Sequence, residues 1–320
     1  MARVSGVLGQ KLGYDKDVPN ITPSTSRKSA GKKIVHIVDN VPIEKVSFHL
    51  PENALRWKFI FYRRLALEME LGKEAVKMTD VMDMIKRARL LKTVCNLGNC
   101  YEKLVKEFLV NIYEECDNYL SQEYQKVYVR GNCVHFSPNI IKKFLGINEP
   151  CATEPNVAEN QICKEITANH VKVWHKKGKI SSGKLSVKYA ILNRITAINW
   201  VPTTHSSVIA TGFGKFIYLV GTKTKLNIGK YVFEQIVKHA KTNVVKCPIA
   251  FPTLICGIML YQHPSLIIAA DIPDKRESPL TLHPKFFSAN HVPNIVGTSG
   301  CEVSHCIPYL AMLYYVRSTP

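Results

Sequence analysis

The sequence predicts a mainly α-helical protein, built from two helical halves with a small β-hairpin near residues 126–136. Apolar residues recur at spacings of three and four over most of the chain, which is the period of an amphipathic helix. Short β-branched runs around a turn pair are clearest at one place, and helices do not alternate with strands as they do around a parallel sheet. These observations favour helical packing around one hairpin.

Three amphipathic helices are predicted before the hairpin. The first covers Pro51–Leu71 and begins with a proline, the second is capped by Thr79, and the third lies near Asn99–Cys116. Their apolar faces are Leu55, Phe59, Tyr62, Ala66 and Met69 in the first helix, Val81, Ile85, Ala88 and Leu91 in the second, and Tyr101, Leu104, Val105, Phe108 and Ile112 in the third. Three helices with these faces can pack together.

The hairpin is predicted from two short runs of β-branched and aromatic residues, Lys126–Arg130 and Cys133–Phe136. The pair Gly131-Asn132 between them tolerates the positive φ angles that a two-residue turn requires. Ser137 and Pro138 are then suited to cap and start a short helix, which Gly146 can end.

The chain is predicted to divide into five segments. Residues 1–45 form a disordered basic arm, and residues 46–148 form an N-terminal helical subdomain that contains the hairpin. Residues 149–160, with two prolines and three acids, form a linker. Residues 161–290 form a basic C-terminal helical subdomain, and residues 291–320 form an irregular tail. The helices predicted in the C-terminal subdomain are Ser186–Asn199, Ser206–Val220, Gly229–Thr242 and Phe251–Tyr261.

Charge is distributed unevenly along this chain, whose formal net charge is +18. Between Glu165 and Asp271, fourteen lysines and arginines face a single acid, Glu234. Such a positive field attracts polyanions. Two-metal chemistry on phosphates needs converging carboxylates, which this half of the chain scarcely supplies. The pattern therefore predicts a non-enzymatic protein without a metal or cofactor.

The sequence also suggests where a nucleic acid would bind. The candidate residues are Lys172, Lys176, Lys177, Lys179, Lys184, Lys188 and Arg194. Trp174 and Tyr189 lie among them and are predicted to stack on bases. The alternative is a solvated basic surface that binds nothing in particular.

Two sequence runs favour other functions. The uncharged run Cys247–Ala270 is long enough to span a bilayer, but its internal prolines favour a buried helix followed by a short strand. Gly178–Lys184 has the spacing of a phosphate-binding P-loop, and Leu266–Asp271 could imitate the strand that holds its metal ion. However, Leu185 stands where that loop needs Ser or Thr for Mg²⁺.

Cysteine usage and the N-terminal residues predict an intracellular protein that is not secreted. Ten cysteines are diluted over 320 residues, and an apolar signal core does not occur at the N-terminus. Cysteine and histidine pairs do not recur at zinc-binding distances, so the thiols are predicted to be reduced and free of metal. The basic run Ser24–Lys33 is compatible with a nuclear import signal.

A further pattern is Val127–Pro138, which reads Val-Tyr-Val-Arg-Gly-Asn-Cys-Val-His-Phe-Ser-Pro and is followed by Phe144-Leu145-Gly146. It occurs with Arg56–Lys58, Arg63–Arg64, Cys100–Phe108, Lys184–Asn193, Asn199–His205 and Ala250–Cys256. As a set, these segments resemble the plant transposon protein domain, which is found in envelope-like reading frames of plant LTR retrotransposons. The resemblance covers approximately Phe48 to Phe287.

This resemblance implies an origin in a mobile element of a plant and a mainly helical module to which both halves of the chain contribute. It carries no catalytic residues over to this sequence. The basic half of the chain is predicted to bind nucleic acid or element-encoded proteins. The envelope-like label would imply a membrane anchor, for which Cys247–Ala270 is the candidate.

Overall fold

The computed structural model describes residues 46–148, 155–174, 179–203, 207–224 and 226–282. Within them the mainly α-helical class is confirmed. The helices are α1 (Pro51–Phe61), α2 (Lys73–Val76), α3 (Thr79–Arg87), α4 (Glu102–Val110), α5 (Pro138–Leu145), α6 (Glu159–Ile166), α7 (Val187–Asn199), α8 (Thr211–Gly221), α9 (Ile228–Ala240) and α10 (Pro252–Gln262). The strands are β1 (Lys126–Val129), β2 (Asn132–His135), β3 (Ile180–Ser181) and β4 (Val208–Ile209).

The first helix is shorter than predicted, because it ends at Phe61 and residues 62–72 are not helical. We call residues 62–72 the strap. Its backbone pairs with two distant segments: the N–H of Ala66 donates to the carbonyl of Ile249 at 2.8 Å, and the N–H of Gly72 donates to the carbonyl of Leu280 at 2.9 Å. These long-range bonds satisfy backbone groups that a continued helix would have paired locally.

Helix α1 also buries a different face from the one predicted. Asn53, Trp57 and Ile60 are buried, whereas Leu55 is 70% exposed and Tyr62 is 42% exposed. The buried face still has helical spacing, and the large indole of Trp57 dominates it. The predicted apolar face of α1 was therefore wrong.

The next two helices agree better with the sequence. In α3, Val81, Ile85 and Ala88 are buried as predicted. Thr79 is not its cap, however, because the N-cap is Met78 and makes no side-chain hydrogen bond. The buried residues predicted for α4 are confirmed, with Leu104 and Phe108 fully enclosed.

The predicted hairpin is confirmed, with its turn one residue earlier than expected. β1 pairs antiparallel with β2, with Val129 opposite Asn132. The two turn residues are therefore Arg130 and Gly131, with φ angles of 48° and 76°. Helix α5 follows as predicted: Ser137 Oγ accepts a bond from the N–H of Ile140 at 3.2 Å. Gly146 ends it in the left-handed region, as predicted.

Helices α7, α9 and α10 lie within two residues of their predicted bounds. Helix α8 begins at Thr211 rather than at Ser206, since Val208 and Ile209 pair with β3 in a second antiparallel sheet. Helix α6 was not predicted. The short strand predicted after α10 was wrong, because Pro264–Leu266 forms a 3₁₀ turn.

One hydrophobic core joins helices from before and after residues 149–154. Helix α4 packs on α1, α9 and α10, and α5 packs on α9 and α10. The largest enclosed aromatic side chains are Trp200, Tyr189, Phe108, Phe136 and Phe251. All described residues fall within one compact unit. The boundaries of the predicted arm, subdomains, linker and tail stay a prediction.

The apolar run Cys247–Ala270 contributes to this core. Its helix, α10, has 11 residues and buries Leu254, Ile255 and Ile258 against other helices. A helix needs about 20 apolar residues to cross a bilayer. Throughout the part of the chain that the structure describes, every helix is too short or too polar to do so.

Candidate polyanion interface

Most of the described candidate lysines lie on two segments that are tied to α6. The thiol of Cys163 in α6 donates to the carbonyl of Val171 at 3.3 Å, which places Lys172 beside that helix. The N–H of Ser186 donates to the carbonyl of Ile166 at 3.0 Å, which anchors the segment from Lys179 to Lys188. We call Lys172, Lys179, Lys184 and Lys188 the lysine patch.

Three lysines of this patch are exposed and unpaired among the described residues: Lys172, Lys179 and Lys184. Lys188 differs, because its Nζ atom lies 3.2 Å from Glu165 Oε1 and 4.4 Å from the ring centroid of Tyr189. An exposed lysine without a neighbouring carboxylate keeps its full attraction for phosphate. The patch therefore offers three free cations and one partly neutralised cation.

The other candidate residues do not join this patch. Arg194 is exposed, but it follows Lys188 by six residues on α7, which places it about 120° away around the helix axis. Lys176 and Lys177 lie outside the described residues. Four of the seven residues predicted from the sequence thus lie on segments that are bonded to α6.

The aromatic residues predicted to stack on bases are buried instead, so that expectation was wrong. Trp174 is 4% exposed and Tyr189 is fully enclosed. Each ring packs on a glycine of α8: Trp174 on Gly214, and Tyr189 on Gly221. The Tyr189 hydroxyl donates to Glu165 Oε1 at 3.0 Å, and burial raises its pKa. Both rings are part of the packing between α8 and its neighbours.

A second basic surface was missed by the sequence analysis. Helix α9 forms one side of a groove of about 780 Å³, which we call the α9 groove. Its floor contains Phe233 and Val237. Its lining residues are Asp117, Tyr124, Gln125, Pro138, Lys230, Phe233, Glu234, Val237, Lys238, Lys241, Thr242 and Asn243. Lys230, Lys238 and Lys241 lie within about 80° of one another around the helix axis. This spacing is visible in the sequence and could have revealed the basic surface.

The groove carries three lysines and two acids. Lys230 Nζ lies 3.7 Å from Glu234 Oε1, and Lys241 Nζ lies 3.3 Å from Asp117 Oδ1. Lys238 is exposed and makes no ion pair with any residue that the structure describes. Because Asp117 belongs to a distant segment, its part in the groove cannot be read from the helix pattern of α9.

The structure does not support the P-loop interpretation. Gly178 lies outside the described residues, and Leu185, directly after Lys184, is fully buried. The strand before the 3₁₀ turn at Ser182–Lys184 pairs antiparallel with β4, whereas a P-loop follows a strand of a parallel sheet.

Asp271 is the acid that could have held a metal ion for such a loop. Its carboxylate instead pairs with Arg130. The guanidinium donates to both carboxylate oxygens, at 2.6 and 2.7 Å. These bonds lower the pKa of Asp271 to about 2. The carboxylate is therefore held by Arg130 of the hairpin turn.

A second cavity, of about 370 Å³, is lined by several carboxylates that serve separate roles. Glu68 Oε2 accepts from the N–H of Thr253 at 2.8 Å, and Glu70 Oε1 accepts from the N–H of Leu97 at 2.7 Å. Within the described ranges, no three Asp, Glu, His or Cys side chains are grouped so that they could hold a metal ion.

Comparison with known families identifies a matching family model. The model of the putative plant retrotransposon-related domain matches residues 86–264. These residues include the hairpin, α4 to α10, the lysine patch and every residue that lines the α9 groove. Comparison with curated proteins and with solved structures gives no match.

Proposed function

Since the chain belongs to the family defined by the putative plant retrotransposon-related domain, we propose that it is a non-enzymatic, retrotransposon-derived protein that binds nucleic acid through its basic surface. The charge distribution is the main support. Lys172, Lys179 and Lys184 are exposed without ion pairs among the described residues, in a stretch whose single acid is Glu234. Lysines of this kind bind the phosphates of a nucleic acid and release the counterions that the phosphates had condensed.

A nuclear location would bring such a protein to its ligand, and the basic run within residues 1–45 supports this location. The envelope-like role implied by the resemblance is the competing proposal, and it requires membrane association. Carbonate extraction of expressed protein separates the two, because an anchored protein stays with the membrane pellet and a nucleic-acid-binding protein is released.

The decisive experiment measures the binding of labelled single-stranded DNA, single-stranded RNA and duplex DNA to the full chain across a range of salt concentrations. We expect the logarithm of the binding constant to fall linearly with the logarithm of the salt concentration, because bound phosphates release counterions. Binding that is absent, or that does not respond to salt, would rule the proposal out.

The lysine patch is tested with the triple variant Lys172→Gln, Lys179→Gln and Lys184→Gln. On a single strand, we expect the salt slope to decrease by about 2, since each phosphate contact contributes about 0.7. The matched control is Lys73→Gln, Lys77→Gln and Lys86→Gln, which removes the same charge from exposed positions on α2, directly after α2 and on α3. If both triple variants weaken binding equally, net charge rather than the patch drives the association.

A further inference from the structure

We infer that the α9 groove holds one single strand of nucleic acid, with its phosphates along the three lysines and its bases towards Tyr124. This inference rests on the proposed function and assigns it a ligand form and a place. The groove is lined by other residues than the lysine patch, which lies on segments tied to α6. Three properties of its lining support the assignment: the arrangement of charge, the access to an aromatic ring and the mixture of polar groups.

The lysines form a track along α9. Lys230 and Lys241 are eleven residues apart, which corresponds to about 16 Å along a helix. Lys238 lies between them on the same side and is unpaired among the described residues. A row of cations on this scale can follow several phosphates of one strand.

The two acids in the groove do not block this role. The pair Lys230–Glu234 has side chains that are 63% and 59% exposed, and the pair Lys241–Asp117 has side chains that are 41% and 49% exposed. Ion pairs this exposed contribute little stability, about 0 to 1 kcal/mol each. A phosphate can therefore take the place of the carboxylate at either lysine.

Other residues that line the groove supply groups suited to bases. Tyr124 is 37% exposed at the groove, and aromatic rings stack on unpaired bases without regard to sequence. Gln125 and Asn243 add amide groups, and Asp117 and Glu234 add acceptors for the amino groups of bases. Bases are accessible to such groups in a single strand, whereas a duplex keeps them stacked and paired.

An acidic peptide is the competing occupant, and the floor of the groove argues against it. Phe233 and Val237 are only 7% and 5% exposed, so they offer little apolar area. Peptide and protein ligands depend on large side chains that are buried in apolar pockets. Lys230, Lys238 and Lys241 are all exposed at the groove, and such a row of cations fits a phosphodiester strand better.

The test uses the full chain and fluorescence anisotropy with a labelled single strand of about eight nucleotides, a length within the range of known single-strand sites. The groove variant carries Lys230→Gln, Lys238→Gln and Lys241→Gln. We expect its affinity for the single strand to fall about 10- to 100-fold at 0.1 M salt, with a salt slope smaller by up to about 2. The control is the same triple exchange at Lys73, Lys77 and Lys86.

The aromatic contact is tested separately. Tyr124→Ala removes the ring and should weaken single-strand binding at least about fivefold, whereas Tyr124→Phe keeps the ring and should bind like the parent. Both variants leave the charge unchanged, so an equal salt slope with weaker binding identifies a stacking contact. Circular dichroism verifies that both variants fold.

The outcomes distinguish this inference from the function on which it rests. If the parent binds with the expected salt response while the groove variant matches its control, the groove assignment is wrong and the proposed function stands. Equal affinity for single strand and duplex, or displacement of the strand only by an acidic peptide, would also overturn the assignment. If the parent does not bind nucleic acid, the proposed function itself fails.

Discussion

The guanidinium of Arg63 donates from Nη2 to the Nδ1 atom of His239 at 3.1 Å, which requires that ring to be neutral at this position. Arg63 is buried, and it also donates to the backbone carbonyls of His239 and Cys247, at 2.5 and 3.0 Å. These bonds connect the strap to the end of α9. Burial, followed by the charges of Arg63 and Lys238, lowers the pKa of His239 to about 4.

The first prediction concerns His239 and acid. The pKa of His239 is about 4 in the folded protein and 6.5 in an unfolded chain. The stability that the neutral ring contributes is therefore fully present above pH 6.5 and is lost as the pH falls through 4. The lost stability amounts to at most about 3 kcal/mol. His239→Asn retains a side-chain acceptor but does not titrate, so urea unfolding at pH 4.5 and 7 should show a smaller decrease in acid than in the parent. An equal decrease would contradict the assignment.

Glu68 leads to a prediction of the opposite sign. Burial raises the pKa of this carboxyl, which accepts from the N–H and the hydroxyl of Thr253, from 4.5 to about 7. The native state therefore binds the proton more tightly, and stability is lost as the pH rises from 4.5 through 7, by at most about 3 kcal/mol. Glu68→Gln keeps the acceptor and removes this loss.

These two titrations largely offset each other in the parent between pH 4.5 and 6.5. Unfolding free energies measured across this range should therefore rise with pH in Glu68→Gln and fall with pH in His239→Asn, relative to the parent. Parallel profiles for all three proteins would show that neither group titrates as stated.

The glycines under the buried aromatic rings provide a third prediction. A Cβ atom at Gly221 would overlap the ring of Tyr189, which is fully enclosed and cannot move aside. We expect Gly221→Ala to lower the unfolding free energy by about 1 to 3 kcal/mol, even though alanine favours a helix. Gly212 is the matched control on the same helix, since a Cβ there meets no atom within 4 Å. Gly212→Ala should be neutral or stabilising, and an equal loss in both variants would contradict the packing argument.

A fourth prediction concerns the hairpin turn. Arg130 forms a forked pair with Asp271, whose side chain is 7% exposed. Arg130→Ala leaves that carboxylate with the N–H of Ile268 but without its guanidinium partner, which should destabilise the protein by up to about 3 kcal/mol. Arg130→Lys keeps the charge without the fork and should fall between parent and alanine variant. A double-mutant cycle with Asp271→Asn measures the coupling, and a value near zero would contradict the structural role.

Local signals predicted the parts of the fold that local interactions determine. Ser137 and Gly146 delimit α5 because a cap hydroxyl and a left-handed glycine act within one turn. The strap could not be predicted in this way. Its apolar residues have helical spacing, yet its backbone bonds to Ile249 and Leu280 depend on segments that are far away in the sequence.

The candidate site was predicted only in part, for similar reasons. The excess of lysine is visible in the sequence, and exposed Lys172, Lys179 and Lys184 agree with it. The aromatic residues Trp174 and Tyr189 were assigned to the surface because their glycine partners on α8 are remote in sequence. Likewise, Asp117 and Tyr124 reach the α9 groove only through tertiary packing.

The strap also has a consequence for biosynthesis. Glu68 bonds to Thr253, 185 residues away, and Glu70 bonds to Arg276, 206 residues away. A ribosome releases the strap long before it completes either partner, so these long-range contacts of the strap can form only late. Fold completion is thus expected late in translation or after it, and a nascent chain that ends before Thr253 should be markedly more sensitive to protease than the full-length protein.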